Sequence, residues 1–584
     1  MLADTDAASE GIEALLDGLD PDQREAVVSP GAPLCILAGA GSGKTRVLTR
    51  RVARRVLDGS ADASHVLVLT FTRQAASELV RRLRSFGLRE RPIAGTFHSV
   101  AWSVLRQRWA DENRRAPELL TNRSRLVADV TAADKLKPGQ LSAVVGEIDW
   151  ARAQVIGPEA YAAAASARGR RPGVAASFVA EVYVRYEEAK HTKRLVDFDD
   201  LLLLCAREIE RDRQFAEVQR WRFRHLFVDE FQDVNPLQAR LLEAWRGERS
   251  DLCVVGDPNQ AIYGWNGADP TRLTEIERHY PGVTVVRLGH NYRSTPQVLA
   301  AAGQVLTRAG LGGEPPTAAR NEGPVPRVRR FTDADAEAAG IVALLRGRSP
   351  VARRWSACAV LVRTNAQTAP IEKALRAAGI PCRVRTNPSA ADEPAARSAL
   401  RELSERPGLH PLREWVEDVQ GELEETGAPA TDPRRRLVTW AHAYLDDGGE
   451  PTAAAFRLWL TTGGPADAGG DADGVEIVTF HAAKGLEWPI VHLAGLEQGL
   501  VPIGHARDAD ALGEERRLFY VAVTRAESEL LCTWAEERTF GTRVAKRSRS
   551  PYLDEVDGAI AALRAGDVPA DWVAHLRAQR TRLA

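Results

Sequence analysis

Lysine is scarce in this 584-residue chain: of its 78 basic residues only eight are Lys, and Arg supplies the rest. A GC-rich coding bias accounts for that, and it makes the surviving lysines informative. Lys44 and Lys484 each persist inside a short motif where a compact ammonium is hard for Arg to replace. Cysteine is sparse as well. Cys35, Cys205, Cys253, Cys358, Cys382 and Cys532 are scattered with no Cys-x-x-Cys pair. That spacing excludes a zinc site and a disulfide framework, and it suits a reducing cytoplasm. No apolar run is long enough to cross a membrane. The first residues are acidic (Asp4, Asp6, Glu10) and lack a signal peptide's basic start and apolar core. A cytoplasmic protein is therefore expected. Net charge is only −1, so a nucleic-acid site has to be a local basic groove.

The length predicts several domains. Their organising stretch is Ala38-Gly39-Ala40-Gly41-Ser42-Gly43-Lys44-Thr45. It follows the apolar run Leu34 to Leu37, which reads as a buried strand, and precedes an amphipathic helical pattern. Strand, glycine turn and helix make a phosphate cradle, with backbone N–H groups of Ala40, Gly41, Ser42 and Gly43 aimed at an anion. Lys44 would reach the β- and γ-phosphates, Thr45 would hold Mg²⁺, and Arg46 is assigned to the nucleotide with them. Upstream, Asp20 or Asp22 would cap a helix carrying Pro21 in its first turn. Gln23 has an amide that both donates and accepts, as adenine recognition requires.

Two further strand ends follow, Val66 to Thr70 and Ile93 to Ser99. Ligands of open α/β sheets sit at such ends. Phe71, Thr72, Arg73, Thr96 and His98 fall on that edge, where an aromatic beside Thr and Arg suits base stacking with a phosphate clamp; each aromatic reads equally well as core. Residues 101–195 read as a helical insert. Within it Phe178, Val182, Tyr186 and Ala189 form a core stripe, and Lys190, His191, Lys193 and Arg194 read as a solvated basic face. Val196 to Leu202 returns the chain to the sheet. Leu226 to Val228 then runs into Asp229 and Glu230. Asp229 would hold Mg²⁺ and Glu230 would polarise the attacking water. After the next strand end Gln260 would sense the γ-phosphate, and Tyr263 and Trp265 suit stacking of single-stranded bases.

In this order the motifs resemble the UvrD/PcrA/Rep family of superfamily 1 DNA helicases, over about residues 19–553. Family loops commonly read Ala-x-x-Gly-x-Gly-Lys-Thr, so Ala38 fits. The resemblance implies an α/β fold of two RecA-like P-loop motor domains with parallel sheets, each interrupted by a mainly helical insert. The expected division is 1–100 with 196–275 (first motor), 101–195 (first insert), 276–388 with 473–565 (second motor), 389–472 (a short second insert) and 566–584 (a C-terminal tail). Val283 to Leu288 reads as a strand entering the second motor. Asn291-Tyr292-Arg293-Ser294-Thr295 looks like the fourth motif, with Tyr292 on adenine and Arg293 reaching the γ-phosphate. Residues 463–474 read as a Gly/Ala/Asp linker. The stretch from Thr479 through Lys484 to Trp488 matches the fifth motif, placing Thr479 and His481 on DNA and Glu487 near the ribose. The stretch from Glu514 to Ala526 matches the sixth, with Arg525 as arginine finger. Arg516 and Arg517 stay open between a solvated face and a contact. Asn266 stands where family members usually carry Arg.

The expected activity is ATP-dependent, Mg²⁺-requiring 3′-to-5′ movement on single-stranded DNA with unwinding of duplex at single/double-strand junctions, in DNA repair or replication and alongside proteins of those processes. Two alternatives are a single-strand translocase that strips proteins with little unwinding, and a DNA-binding subunit of a larger repair complex. No Asn-Lys-x-Asp element for guanine is present.

Overall fold

The computed structural model describes residues 10–120, 122–307, 316–347, 354–385, 394–406, 411–427, 429, 432–446, 451–462, 473–540 and 543–566. Its first sheet has six strands: β1 (Leu34–Ala38), β2 (Val66–Thr70), β3 (Ile93–Thr96), β4 (His225–Val228), β5 (Leu252–Gly256) and β6 (Thr284–Leu288). They run parallel in the order β3-β2-β4-β5-β1-β6. β2 is buried along its whole length, as a strand covered by helices on both faces requires.

Two expected boundaries need correction. β6 does not enter the second sheet but pairs with β1, from Leu34 opposite Thr284 to Ala38 opposite Leu288. It is an edge strand, with Val286 and Leu288 buried and Thr284 and Arg287 exposed, and nothing in its own apolar pattern says which sheet it joins. The helix Phe97–Asp111, assigned largely to the first insert, belongs instead to the first core. It buries Val100, Ala101, Val104, Leu105 and Trp109 in the same core as Leu201, Leu202 and Cys205.

The first insert proper comprises the helices Arg123–Val130, Pro138–Ala153, Pro158–Ala167 and Ala176–Lys193 around its own core. Lys190 corrects the solvated basic face expected there. It lies four residues beyond buried Tyr186, on the packed side of its helix, and its ammonium pairs with Asp197 at 2.9 Å and Asp200 at 2.7 Å. A buried ammonium survives only with such partners. Asp197 itself caps the helix Phe198–Arg211, so this stretch opens a helix rather than a strand.

The second sheet holds β7 (Arg327–Asp333), β8 (Cys358–Val362), β9 (Cys382–Arg385), β10 (Val475–Thr479), β11 (Trp488–Leu493) and β12 (Ala526–Phe540), parallel in the order β7-β12-β11-β8-β10-β9. β13 (Arg543–Lys546) adds antiparallel to β12. Between β9 and β10 come the helices Pro394–Glu405, Pro411–Glu425, Pro433–Asp446 and Ala453–Thr462, whose apolar faces meet around Trp415, Leu437 and Phe456. Most of the expected linker (463–472) and tail (567–584) lies outside the described residues.

Candidate functional site

The site is built first from β1. Between its last residue, Ala38, and the helix Lys44–Leu57, Gly41 (φ 69°) and Gly43 (φ 83°) take the left-handed conformation that a side chain resists. Ser42 Oγ donates to the Gly39 carbonyl at 2.8 Å, and Lys44 Nζ curls back to the Ala38 carbonyl at 3.4 Å. The Thr45 hydroxyl faces the Asp229 carboxylate and favours its charged form, so the two expected metal residues meet. Gln23 is 1% exposed and donates through Nε2 to the Ser42 carbonyl at 2.9 Å. Its Oε1 is buried with no hydrogen-bond partner among the described residues. A buried acceptor beside a phosphate loop is what an exocyclic amine would satisfy. Asp20 caps the helix Pro21–Val28 through the Gln23 N–H at 2.8 Å. Arg46 donates to the Gly18 carbonyl at 3.0 Å, and its charge faces Tyr292.

β4 delivers the acids. Asp229 is buried, and Glu230 sits at φ 52°, a strained position for a residue with a side chain. Burial and then the neighbouring Glu230 charge raise the Asp229 pKa. For Glu230 burial also raises, but the Lys44 and Lys484 charges outweigh it and hold the carboxyl below its ordinary range. The pair is thus split: Glu230 keeps its charge, while Asp229 is the acid that a bound cation would fully ionise. Gln232 donates to Glu230 and accepts the Asp257 N–H at 2.9 Å. Asp257 in turn accepts Gln260 Nε2 at 2.7 Å, which fixes that buried amide.

The second unit covers this cradle. Asn291 Nδ2 donates to the Ala40 carbonyl at 2.5 Å, and the Tyr292 N–H donates to the Gly41 carbonyl at 2.8 Å. A Cβ on Gly41 would lie 2.6 Å from Arg293 Cβ. Tyr292 is half-exposed and hydrogen bonds Asp20. Arg293 Nε donates to Glu487 at 2.5 Å. Arg525 is fully buried, donating to the carbonyls of Val521 (2.9 Å) and Leu486 (3.0 Å). Burial and the Arg293 charge lower its pKa and the Glu230 charge raises it, so Arg525, Arg293 and Glu230 share one field. A guanidinium stays charged throughout the neutral range.

Lys484 belongs to the same site, although sequence reasoning noted only its persistence in a lysine-poor chain. Its ammonium donates to Asp233 and, at 2.7 Å, to the Gln260 carbonyl, and lies 5.0 Å from the Tyr263 ring centre. Asp233 is pushed up to about 7 by burial, with the Lys484 charge opposing. Gln232, Asp233 and Asp257 were likewise missed; their only sequence signal is a place within the motifs.

On the outer edge Tyr263, Trp265 and His481 form a triangle with ring centres 6.4 to 6.5 Å apart. Trp265 is 58% exposed. Burial, then the Arg363 charge, lowers the His481 pKa to about 4. Thr479 closes β10, and its hydroxyl lies 3.4 Å from the Ala482 nitrogen. The remaining edge residues have structural work. Phe71 packs on the first core, 5.8 Å from the Phe97 ring. Thr72 and Thr96 each cap a helix, accepting the N–H of Ala75 and of Ser99, both at 3.2 Å. Arg73 opens its helix, and its side chain lies outside the described residues. His98 meets Phe198 edge-on at 6.0 Å and lines a cavity of about 290 Å³ with Arg123, Asp199, Asn235, Gln238 and Asn266.

Comparison with known proteins places this geometry. A family model described as UvrD/REP helicase N-terminal domain matches residues 19–281, and one described as UvrD-like helicase C-terminal domain matches residues 286–388 and 464–537. The chain is similar to ATP-dependent DNA helicase UvrD2 of Mycobacterium tuberculosis, 38% identical over 95% of this chain and 84% of that protein. Similarity extends to ATP-dependent DNA helicase PcrA of Bacillus subtilis, 29% identical over 93% of this chain and 86% of that protein. DNA helicase II of Escherichia coli is 28% identical over 93% and 88% respectively.

Proposed function

We propose that this chain, which belongs to the UvrD/REP helicase family, is an ATP-dependent DNA helicase that moves 3′ to 5′ along single-stranded DNA and opens duplex at junctions. The supporting observation is the division of charge across the cleft. Lys44, Asp229 and Glu230 stand on the first sheet, and Arg293, Arg525 and Lys484 come from the second unit. Such a site is complete only when two bodies meet, which lets nucleotide turnover drive their closure and opening.

In this reading Gln23 and Tyr292 hold the adenine ring. Gln23 offers its unpaired Oε1, and Tyr292 stacks. The glycine turn and Lys44 grip the phosphates. Thr45 and Asp229 would hold Mg²⁺, which supplies charge neutralisation on the phosphates when bound. Glu230, kept ionised by Lys44 and Lys484, accepts the proton of the attacking water. Arg293 and Arg525 leave their Glu487 and backbone partners to stabilise charge on the transferring phosphoryl group. Gln260, tied to Asp257, reports the γ-phosphate to the Tyr263–Trp265 loop. We assign the motors to residues up to 111 with 196–288, and to 289–388 with 473–565. The six free thiols fit work in the cytoplasm, and the substrate fits a role in DNA repair or replication.

Strand displacement on 3′- and 5′-tailed duplexes tests this, with Glu230→Gln as control. Displacement of the 3′-tailed substrate alone, dependent on ATP and Glu230, is the expected result. Asn266, a neutral residue in the DNA-facing loop, and the compact second insert, with four helices among its described residues, favour a second reading, a single-strand translocase with little unwinding. DNA-stimulated ATP turnover without displacement would select it.

A further inference from the structure

The helix Ala509–Val523 presents two different faces to two different bodies. Glu515 and Arg516 fasten it to its own unit. Glu515 pairs with Arg363 at 2.5 Å and accepts the Ile503 N–H at 2.9 Å, and Arg516 pairs with Glu555 and donates to the Val305 carbonyl at 3.1 Å. Residues 514, 517 and 520, spaced three apart and therefore on one stripe, reach the first unit. The Glu514 carboxylate faces the backbone N–H groups of Gly264 and Trp265, which favour its charge against burial. Arg517 Nε donates to the Ala261 carbonyl at 2.8 Å. The Tyr520 hydroxyl faces the Ala40 backbone N–H in the phosphate loop. Arg525, beside Glu230 in the same field, follows two residues after the helix ends. From 514 to 520 the stripe spans six steps, about 9 Å of a stiff rod at 1.5 Å per residue.

The segment held by Glu514 and Arg517 carries Tyr263 and Trp265 and begins directly after Gln260. Gly264 is where the carboxylate comes closest: a Cβ there would lie 2.5 Å from Glu514 Oε2. The loop's far end is held from the first insert, by Gln154 Nε2 on the Gly267 carbonyl at 2.9 Å. A loop pinned at both ends and gripped in its middle by a helix of the other unit has to follow that helix when the cleft changes. We propose that Glu514 and Arg517 are positioning residues that set the Tyr263–Trp265 loop from the place of this helix, and so transmit the state of the nucleotide cleft to the single strand. The inference rests on the function proposed above.

The measurable quantity is a coupling factor. Let a non-hydrolysable ATP analogue with Mg²⁺ change the Kd for a fluorescent oligodeoxythymidine by a factor α; by linkage the oligonucleotide changes the analogue's Kd by the same factor, on the order of 5- to 150-fold for coupled sites. Glu514→Ala and Arg517→Met, made in the full chain, are expected to bring α at least fivefold closer to one, with each Kd measured alone moving by less than threefold. Glu514→Gln keeps an acceptor and Arg517→Lys keeps a donor, and both are expected to retain most of α. Loss of affinity for both ligands with α unchanged would mark these residues as structural only and overturn the inference, as would a wild-type α in both disruptive variants. If Glu514→Ala fails to fold, Arg517→Met, which keeps an aliphatic stem, decides alone. Wild-type protein with α equal to one would overturn the proposed helicase function itself, so the two failures are distinguishable.

Discussion

Lys484 of the second unit donates to Asp233 of the first, with both side chains buried, 7% and 2% exposed. The same ammonium helps hold Glu230 ionised. Lys484→Met should therefore do more than loosen the cleft. Asp233, already pushed up to about 7 by burial, will keep a proton once its partner is gone. Glu230 loses one of its two nearby lysines, and its pKa rises. On the proposed role of Glu230 as the ionised base, the acid limb of DNA-stimulated ATP turnover should move to higher pH, by about one to two units for the loss of a neighbouring charge. A kcat profile carried from pH 7 down to pH 3 checks this, since Glu230 starts from about 2, and an unmoved acid limb would remove Lys484 from the electrostatics of the site.

Glu230→Gln keeps the shape and the Gln232 contact but cannot accept a proton. ATP turnover should fall by about 10²- to 10⁴-fold, while nucleotide binding persists through Lys44 and Gln23. Single-turnover hydrolysis alongside nucleotide titration separates the two. Weakened binding with normal turnover of bound nucleotide would contradict the assignment.

Gln23→Ala deletes the buried acceptor and the Nε2 bond to the Ser42 carbonyl. One lost hydrogen bond to adenine costs about 1 to 1.5 kcal/mol, so the KM for ATP should rise about tenfold. The KM for GTP, which presents a carbonyl at that edge, should change little or fall. Equal losses for both nucleotides would show that Gln23 supports the loop and does not read the base.

Trp265 is the most exposed ring of the outer triangle. Trp265→Ala should weaken oligodeoxythymidine binding by about 1 to 3 kcal/mol, the range for base–aromatic stacking. The slope of log Kd against log salt should stay the same, because no phosphate contact is removed. A reduced slope would mean that the loop had moved away from the strand.

Local pattern made much of this architecture legible. Leu34 to Leu57 reads as strand, glycine turn and helix because each part is contiguous and apolar spacing, glycines and a lysine agree. The second insert is local in the same way: its apolar residues recur at helical spacing within each stretch and meet in one core. What stayed hidden depends on residues far apart in the chain. Which sheet takes Thr284 to Leu288 is decided by β1, some 250 positions earlier. The burial of Lys190 depends on acids arriving from the next segment. Thr72 and Thr96 also cap their helices, a second role that a threonine before a helix takes by position. Lys484 announced itself by composition, yet its partner Asp233 lies 251 residues away, beyond any spacing rule.

The low pKa of His481 makes a stability prediction with a definite sign. An unfolded histidine titrates near 6.5; in the folded chain burial and the Arg363 charge lower this to about 4. Between those values the unfolded state binds the proton and the folded state does not. Stability therefore rises with pH across that window and is lost on acidification. The full effect is about 3 kcal/mol for a shift of this size, and about 2 kcal/mol of it is already lost at pH 5. His481→Asn removes the titrating group, so its thermal midpoint should fall less than that of the wild type between pH 7 and pH 5. The neutral ring also has a consequence at the DNA face. Lowering pH from 8 to 6 should bring no gain in single-strand affinity that His481→Asn abolishes. A wild-type gain lost in the variant would mean that His481 protonates beside the strand and that the burial seen here opens when DNA binds.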